Sequence, residues 1–280
     1  MDRSVARDGY LLDVRNVSLR FGGVRALSNV SFHVNKGEVF SIIGPNGAGK
    51  TSMLNCISGR YKPNEGEIHY RGSSLLRHSI NDRARLGIGR TFQNLALFGH
   101  MSVLNNILVG RHHLLKNNFL TGMAYWFGGA QREELEHRRK VEDIIDFLEI
   151  QDVRNEPAGT LSYGYRKRVE LARAVAIEPE VILLDEPMAG MNLEEKEDMA
   201  RYVLDLNQEF GITVVMIEHD MGVVMDLSDR VIVLDFGKVI ASGTPDEIMN
   251  NEHVKRAYLG EDDEFLADLD EDARAEAVNA

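Results

Sequence analysis

A glycine-rich loop between an apolar strand and a helix constrains the fold of this chain more than any other feature. The loop reads Gly44-Pro-Asn-Gly-Ala-Gly-Lys-Thr51. Residues 39–43 before it form a short apolar, β-branched run, and residues 52–58 after it follow a helical pattern. A strand, a glycine loop and a helix in this order make a phosphate-binding unit. The sequence therefore predicts an anion site where this strand ends.

The loop has the complete spacing of a P-loop, and its two flanking elements disfavour a plain glycine turn with a surface lysine. Its glycines let the N–H groups of residues 47–51 point at phosphates, and the helix N-terminus adds its positive end. Lys50 is expected to neutralise the β- and γ-phosphates of ATP, and the Thr51 hydroxyl to coordinate Mg²⁺. The predicted nucleotide-binding residues here are Gly44, Pro45, Asn46, Gly47, Ala48, Gly49, Lys50, Thr51 and Ser52.

The remaining apolar runs predict an α/β fold with a largely parallel sheet. Residues 181–184, 213–217 and 231–234 are continuously apolar, which indicates strands buried on both faces. Residues 93–176 differ: they are mostly helical in pattern, with charged amphipathic periodicity through 131–148. We interpret them as an inserted helical lobe, in which the glycine- and aromatic-rich residues 119–130 form an irregular connection.

Two carboxylates follow one of these predicted strands, in Val181-Ile-Leu-Leu-Asp-Glu-Pro187. Ligands of open α/β sheets bind at the carboxyl ends of the strands. An isolated Asp-Glu pair is usually a solvated loop start, but a P-loop in the same chain favours the second half of a nucleotide site. Asp185 is expected to hold Mg²⁺, and Glu186 to polarise the attacking water as general base.

The segment Leu161-Ser-Tyr-Gly-Tyr165, with the helical pattern that follows it, resembles the signature motif of ABC ATPases. Ser162 can cap that helix, and the free N–H groups behind it can grip a γ-phosphate held by the opposite subunit. The resemblance implies that two chains enclose each ATP. Ser162 and Gly164 match the phosphate-contacting positions, whereas Tyr163 and Tyr165 replace the usual glycine and glutamine.

The same resemblance implies further site residues. Phe21 matches the aromatic residue that stacks on adenine, although a lone phenylalanine is commonly a core residue. Gln93 matches the Q-loop glutamine that senses Mg²⁺ and the γ-phosphate, and His219 matches the switch histidine that reaches that phosphate. Asn192 stands where many relatives carry the D-loop aspartate. The implied catalytic set is Glu186, His219 and Gln93, and the implied metal ligands are Thr51, Asp185 and Gln93.

The domain organisation implied by the resemblance is that of a P-loop NTPase. A RecA-like, mostly parallel sheet would be joined by an antiparallel β part near the N-terminus and by the helical subdomain inserted at about residues 93–176. The ATPase domain would span residues 10–260. Residues 261–280 carry nine acids and one arginine, so most of the net charge of −12 lies in a tail predicted to be disordered.

Within the family, the details look most like the ATPase subunits of branched-chain amino-acid-type importers. Such importers pair two related ATPases with two transmembrane permeases and a periplasmic substrate-binding protein, and the ATPases lie at the cytoplasmic face of the inner membrane. A peripheral position fits this chain, because no apolar run approaches the roughly 20 residues that span a bilayer. The motifs that carry this resemblance are Arg20-Phe-Gly-Gly23, Arg90-Thr-Phe-Gln-Asn94, Ala189-Gly-Met-Asn192 and Arg256-Ala-Tyr-Leu-Gly260.

Two alternatives share parts of this pattern. ATPases for lipid or lipopolysaccharide export have the same type of Q-loop and D-loop start, but usually a shorter helical lobe. Soluble ABC proteins acting on ribosomes usually join two ATPase domains, and those acting on DNA insert a long coiled coil; the sequence has neither feature. It also has no basic stripe, so no nucleic-acid partner is expected. A kinase or GTPase would leave the signature helix and His219 unexplained.

Overall fold

The computed structural model describes residues 9–91, 97–114 and 129–258, and its larger sheet is mostly parallel. Six strands follow the order β10-β9-β3-β8-β7-β6, in which only β10 is antiparallel to its neighbour. The predicted α/β class with a largely parallel sheet is therefore confirmed. The strands are β3 (Val39–Ile43), β6 (Ile88–Arg90), β7 (Val181–Asp185), β8 (Thr213–Ile217), β9 (Arg230–Asp235) and β10 (Lys238–Gly243).

A second, antiparallel sheet lies near the N-terminus, as the resemblance implied. Its order is β2-β1-β4-β5. Bulges interrupt the pairing of β1 with β2, so apolar and polar residues do not alternate regularly along either strand. The strands are β1 (Leu12–Phe21), β2 (Val24–Val34), β4 (Glu65–Tyr70) and β5 (Ser73–Ser74).

Helices cover the sheets and fill most of the described chain between β6 and β7. The predicted irregular connection is wrong at its last two residues, because Gly129 and Ala130 already belong to α4. Alanine has the highest helix propensity, which favours an earlier start of the helix. Residues 119–128 lie outside the described residues. The helices are α1 (Lys50–Ser58), α2 (Ile80–Arg85), α3 (Val103–Gly110), α4 (Gly129–Phe147), α5 (Tyr163–Val175), α6 (Leu193–Gln208), α7 (Met221–Leu227), α8 (Pro245–Met249) and α9 (Glu252–Tyr258).

The larger sheet separates two apolar clusters. Successive strand residues point to opposite faces, so Leu183 packs on the side of α1 and the antiparallel sheet, whereas Ile182 and Leu184 pack on the side of α5 and α6. Burying each such side chain stabilises the fold by about 1.5–3 kcal/mol. This alternation decides which polar residues at the strand ends face the P-loop.

No observation tests the domain limits, which stay a prediction, and the predicted tail lies beyond the described residues. Among the helices that the structure describes, none combines the length and the apolar character needed to cross a membrane.

Candidate functional site

Three glycines shape the P-loop after β3. Gly44, Gly47 and Gly49 have φ values of 142°, 77° and 103°, a region in which a Cβ is strained. A Cβ on Gly44 would also collide with the carbonyl oxygen of Leu234 in the neighbouring strand β9. A Cβ on Gly47 would meet nothing within 4 Å. The loop is thus packed against the sheet at one glycine and open at another, as a phosphate cradle requires.

Helix α1 begins inside the predicted motif. It starts at Lys50 rather than at residue 52, because Gly49 ends the loop in a left-handed conformation. Gly49 has no side chain to cap the helix, so the amide end of α1 is suited to an anion. Thr51 and Ser52 lie in its first turn.

The tip of the loop is a tight turn. The N–H of Ala48 donates to the carbonyl of Pro45 at 3.1 Å, and Asn46 between them is exposed. The ammonium of Lys50 folds back over this turn, where it donates to the carbonyls of Gly44 and of Pro45, the latter at 3.0 Å. The lysine is therefore held against the loop rather than extended into solvent.

Asp185 ends β7 on the side that faces the P-loop. It continues the alternation of Leu183, and its Oδ1 lies 3.5 Å from the Thr51 hydroxyl. The carboxylate is only 1% exposed. Burial raises its pKa, and the guanidinium of Arg90, 3.2 Å away, opposes the rise. The two predicted metal ligands of the P-loop and of β7 are thus brought together.

Arg90 is a site residue that the sequence reasoning missed. Its guanidinium ties Asp185 to α1 by donating to the carbonyl of Leu54 at 3.3 Å and to the Ser58 hydroxyl. Its position at the end of a strand could have indicated this role. Arg90 ends β6, the parallel neighbour of β7, and it lies on the same face as Ile88, which packs in the cluster next to α1.

The pair of Thr51 and Asp185 fits a magnesium ion bound together with phosphates. Mg²⁺ takes oxygen ligands, and it usually binds one or two carboxylates plus substrate phosphates and water. Within the described ranges no group of three or more His, Cys, Asp and Glu side chains could form a complete cage. With two protein oxygens beside the P-loop, the remaining coordination positions of such an ion would be filled by phosphate oxygens and water.

Glu186 and His219 meet at the carboxyl ends of β7 and β8. Oε1 of Glu186 lies 2.7 Å from Nε2 of His219. Glu186 has a φ of 51°, a left-handed conformation that few residues other than glycine adopt. Its N–H donates to the carbonyl of Ile217 at 3.0 Å. The predicted general base and the predicted switch histidine therefore form one hydrogen-bonded pair.

Glu218 is a second residue that the sequence reasoning missed. It is 3% exposed, and its two carboxylate oxygens accept hydrogen bonds from the N–H groups of Met188 at 3.0 Å and His219 at 3.2 Å. Burial raises the pKa of its carboxyl group to about 7. The side chain joins the segment after β7 to the segment after β8. Its position next to His219 in the sequence could have indicated that it belongs to the site.

The signature segment begins α5. Ser162 caps the helix by accepting from the N–H of Tyr165 at 3.5 Å. Gly164 packs so closely on the carboxylate of Glu195 that a Cβ would collide with it. The ring of Tyr163 covers Gly190, with its Cε1 3.2 Å from where a Cβ would stand. The first turn of α5 thus rests on the D-loop of the same chain.

The other predicted residues fall in three different situations. Phe21, at the end of β1, is 47% exposed and meets Tyr61 edge-on with 5.0 Å between ring centroids, which excludes a core phenylalanine. Gln93 lies outside the described residues, which omit 92–96. Asn192 is the N-cap of α6, in a capping box with Glu195.

A mostly parallel sheet with a P-loop after β3 and an Asp-Glu pair at the end of β7 places the protein in the class of P-loop nucleoside triphosphatases. Residues 27–189 match the family model described as ABC transporter. Residues 238–264 match the model described as branched-chain amino acid ATP-binding cassette transporter. The chain belongs to the ABC transporter family, as one of the ATPases that bind and hydrolyse ATP.

The relatives agree with this assignment. The chain is 40% identical to the high-affinity branched-chain amino acid transport ATP-binding protein BraF of Pseudomonas aeruginosa. It is 42% identical to LivG of Salmonella typhimurium, which carries the same description. Each alignment covers 90% of this chain and 98% of the relative. The resemblance to the branched-chain amino acid branch is confirmed.

Solved structures share the fold. A nucleotide-free ATP-binding cassette from an ABC transporter superposes with a TM-score of 0.78 at 32% identity, covering 89% of this chain and 98% of that one. A dimeric post-hydrolysis state of the cassette MJ0796, bound to ADP and Pi, gives a TM-score of 0.71 at 28% identity and covers 84% and 98%.

Proposed function

We propose that the chain is the ATP-hydrolysing subunit of an importer for branched-chain or related amino acids. The observation that carries the hydrolytic part is the 2.7 Å contact between Glu186 and His219, beside the P-loop and Asp185. The cargo is supported by the descriptions of BraF and LivG and by the match at residues 238–264.

Nucleotide binding is assigned to the P-loop and to Phe21. The amide end of α1 and Lys50 would hold the phosphates, and the exposed ring of Phe21 would stack on adenine. Thr51 and Asp185, together with Gln93, would hold Mg²⁺, which neutralises charge on the phosphate oxygens when bound. Arg90 limits the motion of Asp185 and keeps its carboxylate on the P-loop side.

Hydrolysis is assigned to Glu186 and His219. Glu186 accepts a proton as the water oxygen bonds to the γ-phosphorus and the bond to the β–γ bridging oxygen breaks, which yields ADP and phosphate. Through Nε2, His219 orients the Glu186 carboxylate, and its half-exposed ring would be available to contact the γ-phosphate.

A second ATPase subunit completes each site. Ser162 and Gly164, at the N-terminus of α5, would contact the γ-phosphate held by the partner. The dimeric cassette bound to ADP and Pi supports this arrangement. Two transmembrane permeases would receive the closure of the dimer through the helical subdomain at about residues 93–176. We place the assembly at the cytoplasmic face of the inner membrane, where it serves a periplasmic substrate-binding protein.

Replacing the proposed base tests the hydrolytic assignment. In Glu186→Gln the amide cannot accept the proton, so turnover should fall by about a hundredfold or more while ATP binding persists. ATP with Mg²⁺ should then hold two subunits together, visible as a doubled mass in light scattering. Glu209→Gln, an exposed substitution at the end of α6, is the matched control. Hydrolysis by Glu186→Gln at the parent rate would remove Glu186 from this role.

Purification from the native membrane tests the partners. The tagged chain is extracted in mild detergent, and co-purifying proteins are identified by mass spectrometry. Two permeases and a second, different ATPase are expected. Recovery of a homodimer with lipid-export permeases would contradict the importer assignment.

A further inference from the structure

Lys167 connects the signature helix to the catalytic loop. It lies in the second turn of α5 and is 4% exposed. Its ammonium donates to the backbone carbonyl of Glu186 at 3.0 Å. Removing an ammonium group from water is unfavourable unless the protein provides hydrogen-bond acceptors. A buried lysine aimed at one carbonyl of the proposed base is therefore a specific arrangement.

Lys167 contacts the peptide that directly follows the Cα of the proposed base. Glu186 has a left-handed backbone, which persists only where surrounding contacts hold it. Its N–H donates to Ile217 in β8, and its carbonyl accepts from Lys167 and, at 3.4 Å, from the N–H of Ala189. The carboxylate branches from the Cα between the two peptides that these bonds hold, so a shift of that Cα moves Oε1 relative to His219.

The first turn of α5 packs against the residues that follow Glu186 in the chain. Tyr163 covers Gly190, and Gly164 meets the carboxylate of Glu195. Lys167 follows one turn later and reaches Glu186 itself. A displacement of α5 larger than the flexible Lys167 side chain can absorb therefore moves the Glu186 carbonyl or breaks the hydrogen bond from Lys167.

We propose that Lys167 is a positioning residue, which transmits the engagement of α5 with the partner's nucleotide to the general base of its own subunit. The proposal rests on the proposed roles of Glu186 and of the Ser162–Gly164 turn. It gives each subunit a direct path from one ATP site to the other, made of α5, Lys167 and the Glu186 peptide. A lysine that only filled space would stabilise the fold without affecting catalysis.

Two substitutions separate positioning from packing. Lys167→Met keeps an unbranched buried side chain but removes the donor and the charge. Lys167→Gln has about the same length as methionine and keeps an N–H donor. Turnover and KM for ATP are measured by phosphate release from the purified full-length chain with its partner ATPase, and thermal unfolding is followed in parallel.

Lys167→Met should lower kcat by about tenfold to a hundredfold with KM changed less than about twofold, because ATP is held by other residues. Its Tm should stay at or above the parent value, since an apolar side chain suits a buried position. Lys167→Gln should recover most of the lost kcat. The parent should respond cooperatively to ATP, and Lys167→Met should lose that cooperativity.

Two controls make the outcomes distinct. Lys36→Met, at a side chain 69% exposed, should behave as the parent. If Glu186→Gln hydrolyses ATP normally, the proposed function itself fails. If Glu186→Gln is inactive while Lys167→Met keeps the parent kcat and cooperativity, only the role of Lys167 is overturned. Equal losses in Lys167→Met and Lys167→Gln, accompanied by a lower Tm, would assign the lysine to packing and would also overturn the proposal.

Discussion

At the scale of single residues, the nucleotide site depends on buried charges whose partners lie far away in the sequence. Asp185 and Arg90 are 95 positions apart and form an ion pair of 3.2 Å. Glu218 is 30 positions from Met188, whose N–H it accepts. Each charge is satisfied by a group on another strand or loop, so its loss leaves the partner buried without compensation.

Arg90→Leu should destabilise the fold strongly. The variant leaves the Asp185 carboxylate buried without its cation, which costs about 3–5 kcal/mol of the free energy of unfolding. Chemical denaturation at neutral pH measures the loss. The double variant Arg90→Leu/Asp185→Asn should recover part of it, because the charge is gone. Equal stability of the single variant and the parent would show that the pair contributes nothing.

Glu218 should make stability depend on pH. Burial raises the pKa of its carboxyl group from 4.5 to about 7. Between these two pKa values the folded chain keeps a proton that the unfolded chain has released. The protonated carboxyl group therefore contributes its full stabilisation below pH 4.5, and this stabilisation is lost as the pH rises to about 7. Glu218→Gln removes the titration. As the pH rises from 4.5 to about 7, the free energy of unfolding of this variant should therefore increase relative to that of the parent, by up to about 3 kcal/mol.

Denaturation curves at several pH values measure this difference. The glutamine nitrogen cannot accept one of the two N–H groups, which adds an offset that does not vary with pH. Parallel stability profiles for the parent and the variant would contradict the raised pKa.

The sequence predicted the site residues whose role a motif specifies, and it missed those that act through another residue. Lys50 and Asp185 stand in motifs that phosphate chemistry makes recognisable, and the family resemblance implied His219. Arg90 and Lys167 do not, because one binds a carboxylate on a neighbouring strand and the other a backbone carbonyl in a loop. Such partners are chosen by the packing of distant elements, which spacing along the chain does not encode.

At the scale of elements, the turn from β3 through the P-loop into α1 sets the shape of the anion site. Gly47 is its open glycine, with a φ of 77° and nothing within 4 Å of a built Cβ. A methyl group there would meet no protein atom but would occupy the space that we propose for phosphate. Binding and folding can therefore be separated at this position.

Gly47→Ala should weaken ATP binding by about tenfold or more, because a Cβ prevents close approach of the backbone to phosphate. Gly72→Ala is the matched control: its φ is 75°, its built Cβ also meets nothing within 4 Å, and it lies in the β4–β5 turn. Both variants should lose about 1–2 kcal/mol of stability from backbone strain. Titration with a fluorescent ATP analogue compares them. Equal affinities would contradict the assignment of this loop to phosphate.

Continuous apolar runs predicted the central strands well, but the hydrophobic pattern did not predict the irregular strands. β3 and β8 have the predicted limits because they are buried on both faces. The bulged strand β1 contains Asn16 with a φ of 50°, which breaks the alternation that would reveal it from pattern alone. The start of α1 was misplaced because a left-handed Gly49, rather than helix propensity, determines where the helix begins.

At the scale of the whole molecule, the larger sheet brings together groups from the entire chain. β3, β6, β7 and β8 end at the same edge, where the P-loop, Arg90, Asp185 and the Glu186–His219 pair meet. The helical part between β6 and β7 contacts the same edge through α5, where Lys167 donates to the carbonyl of Glu186. We propose that ATP hydrolysis at this edge drives amino acid import.

Uptake of radiolabelled leucine in the native cell tests that claim most directly. A strain lacking the gene is complemented with the parent or with Glu186→Gln, and equal amounts at the membrane are verified by immunoblot. Uptake should be lost on deletion, restored by the parent and not restored by Glu186→Gln. Full uptake without the gene, or with Glu186→Gln in its place, would contradict the account.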